Sequence, residues 1–162
     1  MSEDHGCGAT SEPGDVALAS LALDPAMDSA LDIMRCFFTA FASPASQGWI
    51  GAQEGSVAAY GLRDGPRMAL ALLRLVQALR GARRSPFRFS NPGCAHCRQV
   101  VTDTEARLIA LIQEMRRGGG SALHVHAMML CEGGDAAPLL IQARIAAELF
   151  DMMEAHKPTT AH

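Results

Sequence analysis

Apolar side chains recur along the 162-residue chain at intervals of three and four, the period of helices that bury one face. Ala30, Ile33, Met34, Phe37, Phe38 and Phe41 form the first such stripe. Asp24 followed by Pro25 supplies an N-cap with proline at the first helical position, and Ser43-Pro44 ends the run. Asp28, Asp32 and Arg35 fall on the opposite, polar face. A weaker helical segment over roughly 46–60 is interrupted by Gly48, Gly51 and Gly55. Asp64-Gly65-Pro66 then opens the plainest helix of the chain, with Met68, Leu72, Leu75, Val76 and Leu79 on its apolar face.

Residues 85–93 hold two prolines and a glycine, so they cannot continue that helix and read as a connector. Beyond it, Thr102-Asp-Thr-Glu105 has the form of a capping box. The helix it opens turns Leu108, Leu111, Ile112 and Met115 inward and ends in Arg116-Arg117, cations suited to a helix C-terminus. Gly118-Gly119-Gly120 stops it, and Ser121 reads as the cap of the next segment, which runs to Cys131. A last helix starts near Asp135, with Leu139, Leu140, Ala143, Ile145, Ala146, Leu149, Met152 and Met153 supplying apolar faces. Val100-Val101 and Leu123–His126 are the only short strand candidates. The sum is an all-α fold, a bundle of five to six helices with a Cys-x-x-Cys loop between its N-terminal and C-terminal parts. Residues 1–14 read as a flexible tail, 15–157 as one helical domain with a sub-boundary at 85–93, and 158–162 as a second tail.

Composition narrows the classes of function. Aromatic residues make up only 5% of the chain, which disfavours a stacking platform for single-stranded nucleic acid. Thirteen arginines stand against the single Lys157, the usage of a GC-rich bacterial genome. The net charge of −3 hides a segregation. Residues 1–54 carry Arg35 against eight carboxylates, whereas 55–100 carry eight arginines against Asp64 alone. Either the acidic front and basic middle pack near one another or face different solvent sectors, or the middle presents a basic surface to an anion, nucleic acid or acidic partner, with Arg80, Arg83, Arg84 and Arg88 as its contacts. The N-terminus is acidic and polar, unlike a secretory signal, and no apolar run is long enough to span a bilayer. The chain therefore reads as cytoplasmic, without a membrane partner, its five cysteines reduced.

The candidate chemistry lies in Cys94-Ala-His-Cys97, two thiols in a Pro/Gly turn before a helix. His124, His126 and Cys131 follow about one helical hairpin later. If 121–132 is helical, His124 and His126 diverge by about 200° and only one joins the cysteines, with His96, Cys131 or water as fourth ligand. If 123–126 is extended, both imidazoles face one side. Sulfur and nitrogen donors suit zinc, with iron as the other metal such a set accepts, and a closed structural site is expected over an open catalytic one. Taken singly, Cys131 and Cys36 read as core thiols. The sequence assembles no Ser/His/Asp catalytic set. It reads as a small metal-binding helical protein acting as a binding or regulatory module. The alternatives are a metal- or thiol-dependent enzyme, or a DNA-binding regulator using residues 63–98. Methionine-rich apolar faces suggest a homodimer.

Overall fold

A computed structural model describes residues 12–156. The expected tails at 1–11 and 157–162 lie outside the described residues. Glu12 to Gly14, also assigned to the first tail, enter a turn in which the Asp15 N–H donates to the Glu12 carbonyl at 3.0 Å. The fold is all-α. Among the described residues five helices, α1 (Pro25–Ala42), α2 (Gly48–Ala82), α3 (Asp103–Arg116), α4 (Ser121–Leu130) and α5 (Ala137–Ala155), accompany one two-residue antiparallel ribbon. In that ribbon β1 (Val16–Ala17) pairs with β2 (Val100–Val101), in the register Val16 to Val101.

Helices α1 and α3 start at side-chain caps. The Asp24 side chain accepts the Met27 N–H, and Pro25 occupies the first turn of α1. Thr102 and Glu105 form the expected reciprocal capping box of α3. Ser121 differs from expectation: Gly120 is the N-cap of α4, and Ser121 is its first helical residue.

The two segments expected on either side of Tyr60 form one element with a corner. The backbone leaves helical geometry at Gly61, with φ 81° and ψ 171°, so α2 consists of two helical halves. The second half turns back against the first. The Ser56 hydroxyl donates to the Gly65 carbonyl at 2.7 Å, and a Cβ on Gly65 would lie 2.7 Å from Val57 Cα. Only glycine permits that approach.

All five helices contribute to a single apolar core, including Met34 and Phe38 of α1, Leu72 and Leu75 of α2, Leu108 of α3, Leu130 of α4 and Phe150 of α5. Ile145 and Met152, expected among the apolar faces of α5, are in part exposed. Among the described residues no helix is long and apolar enough to cross a membrane.

Candidate functional site

A buried ion pair holds the connector in place. Arg35 lies in the core at 0% exposure, not on the solvated face that helical spacing assigned to it. Its Nε donates to Glu105 Oε1 at 2.7 Å and its Nη2 to Oε2 at 3.1 Å. The rest of the guanidinium donates to the carbonyls of Arg98 and Val100, at 3.1 and 2.7 Å. Glu105 also accepts the backbone N–H groups of Ser90 and Thr102, at 3.1 and 2.9 Å. Two buried charges are tolerable only when paired and saturated with hydrogen bonds in this way. Phe87 and Phe89 of the connector stack on Phe38 of α1, ring centroids 4.2 and 5.5 Å away.

The pinned connector roofs a cleft of about 460 Å³ between α1 and the first half of α2. Ser29, Asp32, Ile33 and Cys36 of α1 form one wall, Gly51, Gly55, Ala58 and Ala59 of α2 the other, and Pro92 with Arg98 the roof. Arg98 forms an ion pair with Asp32, which also lies 3.6 Å from Arg35. The Cys36 thiol is pushed up by burial and by the Asp32 carboxylate, with Arg98 partly opposing, so it stays protonated near neutral pH.

The glycines on this wall differ from those that packing demands. A Cβ on Gly48 would lie 2.4 Å from the Cys36 carbonyl, an overlap no side chain survives. On Gly51 and Gly55 it would meet Cys36 Sγ at 3.6 Å and Ile33 Cγ1 at 3.7 Å, ordinary contacts. Glycine in a helix interior costs about 0.5–1 kcal/mol relative to alanine. At positions 51 and 55 the glycines border the cleft. A second cavity of about 460 Å³ shares Ser29 and Ala59 with the first. Its cation, Arg116, is held by Asp24, Asp151 and Glu154.

The residues singled out for chemistry lie apart. Cys97 is buried and disulfide-bonded, which corrects the expectation of five reduced thiols. Its N–H donates to Cys94 Sγ at 3.3 Å. His124 and His126 sit on α4, which is helical where the extended alternative required a strand. His124 Nδ1 lies 3.2 Å from the Gly120 carbonyl oxygen. Cys131 is buried at the end of α4, its thiol pushed up by burial. Among the described residues, no three His, Cys, Asp or Glu side chains converge so as to hold a metal ion.

Three of the four candidate anion contacts, Arg80, Arg83 and Arg88, are engaged within the chain through their side chains. Arg80 bonds Gln77 and lies 3.9 Å above the Phe41 ring. Arg83 donates to the Leu130 carbonyl and pairs with Glu132 at 3.1 Å. Arg88 pairs with Asp15 and Glu12. The Arg84 side chain is exposed, and its backbone N–H donates to Glu132 at 2.9 Å. The acidic front and basic middle of the chain therefore meet through Arg88 and Arg98.

Sequence reasoning placed Cys36 in the core and Arg98 only within the arginine-rich stretch. The signal that pointed to the cleft was the run of glycines in the weak segment, which was read as a mere interruption. Comparison with protein-family models, with curated proteins and with solved structures finds no match for this chain.

Proposed function

We propose that the protein is a helical binding module whose ligand site is the cleft between α1 and the first half of α2. The observation that carries this reading is that Gly51 and Gly55 keep the cleft open although packing does not require glycine there. The mostly small, apolar walls suit a slim apolar body, and the Asp32–Arg98 pair suits a polar end. The raised pKa of Cys36 suits it to be a wall of this cleft rather than a nucleophile in it. Titration with 8-anilinonaphthalene-1-sulfonate, an apolar body with one anionic group, is the test. Saturable 1:1 fluorescence enhancement is expected. Gly55→Leu fills the cleft and should weaken binding at least tenfold with the circular dichroism spectrum unchanged. Binding equal to that of the wild type would remove the cleft from consideration.

The Cys94–Cys97 turn supports a second reading, a zinc ion held in part by these two sulfurs. The Cys97 N–H donates to Cys94 Sγ at 3.3 Å, so one tight turn holds both cysteines. Such a site requires Cys97 in reduced form. Protein purified under reducing conditions without chelator should then contain about one zinc per chain by elemental analysis, as expected of a structural site. Absence of zinc there would end the reading.

A further inference from the structure

The two cavities are successive stretches of one groove. Along α1, Pro25, Ser29, Ile33 and Cys36 line it at intervals of three and four, one face of the helix. The first half of α2 runs beside them in the opposite direction. A Cβ on Gly51 would touch Cys36 and one on Gly55 would touch Ile33, while Ala59 and Ser29 line both cavities. The junction is thus made by two small residues. From Asp32 in the first cavity to Asp24 in the second is about 12 Å along α1, at 1.5 Å per residue.

Polar groups with unused hydrogen-bonding capacity lie at the two ends of that span. In its middle the Ser29 hydroxyl donates to the Pro25 carbonyl at 2.9 Å, and Ile33, Gly55, Ala58 and Ala59 carry no polar side-chain atom. At one end Arg98 gives only Nη2 to Asp32, which leaves Nε and Nη1 as donors. At the other end Arg116 is spent, with Nε on Asp151, Nη2 on Glu154 and Nη1 3.7 Å from Asp24. The acceptors there are not. Glu154 bonds Arg116 through Oε2 and Asp64 bonds Arg67 through Oδ1, so Oε1 and Oδ2 remain. The rings of Tyr60 and Phe150, centroids 6.2 Å apart, wall this end. One end therefore donates hydrogen bonds and the other accepts them.

We infer that the groove takes a straight-chain amphiphile polar at both ends. Its carboxylate lies at Arg98, its alkyl chain passes Ser29 and Ala59, and a terminal hydroxyl reaches Glu154 and Asp64. This rests on the cleft being the ligand site and adds the class of ligand. A plain methyl end would take water from the two carboxylates without bonding to them, so the second cavity selects for the hydroxyl.

Calorimetric titration of the full chain with three probes tests this. Decanoate has an extended chain that matches the span, ω-hydroxydecanoate adds the second polar end, and hexanoate ends near the junction. The wild type should bind decanoate at least tenfold tighter than hexanoate, through the added methylenes. It should bind ω-hydroxydecanoate about fivefold tighter again, the worth of one net hydrogen bond. Ala59→Leu narrows the junction and should bring both longer probes down to the affinity of hexanoate, with the circular dichroism spectrum unchanged. Glu154→Leu should erase the preference for the hydroxyl and leave hexanoate binding as it was. Equal affinity for hexanoate and decanoate, both abolished by Gly55→Leu, overturns the inference and leaves the cleft as a ligand site. Decanoate binding indifferent to Ala59→Leu, or tighter than that of ω-hydroxydecanoate, also overturns it. So does failure of all three probes to bind, in which case the response of anilinonaphthalene sulfonate to Gly55→Leu decides separately whether the cleft binds anything.

Discussion

Arg35 departs furthest from its pattern. Its position on α1 is one that helical spacing assigns to solvent, yet its side chain is fully buried because Glu105 lies opposite. The Thr102–Glu105 capping box was legible, being a local motif four residues long. That Glu105 also holds a guanidinium 70 residues away was not, because nothing local to either residue encodes the other. The pair has consequences that can be measured. Glu105→Gln keeps the shape of the side chain but leaves the buried Arg35 charge with only the partly exposed Asp32, 3.6 Å away, as counter-ion. Urea unfolding should show a loss of about 3–5 kcal/mol, the usual result of removing one partner of a buried pair. A loss below about 1 kcal/mol, the level of an exposed pair, would refute the role assigned to Arg35.

Among the elements, α1, the second half of α2 and α3 were legible, since each has a regular apolar stripe and α1 and α3 also have a recognisable cap. The first half of α2 was read as weak because its glycines lower helix propensity. The structure separates those glycines by what surrounds them. Gly48 and Gly65 permit backbone approaches that any Cβ would block, whereas Gly51 and Gly55 border the cleft. Propensity registers the cost of all four alike, and the neighbours that distinguish them lie on other segments. Helix α4 presents a similar case. The pattern Leu123-His-Val-His126 alternates over four residues and fits a strand as well as a helix. The helix was decided by Leu123, Ala127 and Leu130 packing inward. That outcome separates the two imidazoles the extended alternative had brought together.

Across the molecule, the charge segregation along the chain becomes a set of ties. Asp15 holds Arg88, Asp32 holds Arg98, and Glu132 accepts from Arg83, Ser85 and the backbone of Arg84. Hydrogen bonds from Ser85 and the backbone hold Glu132 down to about 2, below its ordinary 4.5, and Arg88 lowers Asp15. A carboxylate whose folded pKa is depressed adds stability above its unfolded pKa and loses it as pH falls through the folded value. For Glu132 that window runs from about 4.5 down to about 2. Melting temperature should therefore fall across this window, and less steeply in Glu132→Gln, which begins lower at neutral pH. Equal slopes for the two proteins would show that Glu132 does not tie the connector to the end of α4.

Helix count, most helix ends and the all-α class follow from the order of residues, because caps, stop signals and apolar spacing act over one or two turns of chain. The acidic and basic segments were equally visible, and one of the readings left open was that they pack near one another. The cleft, the burial of Arg35 and the outward apolar face of α4 depend on which helix faces meet. Those meetings are set by packing between segments tens of residues apart, where spacing along the chain carries no distance information.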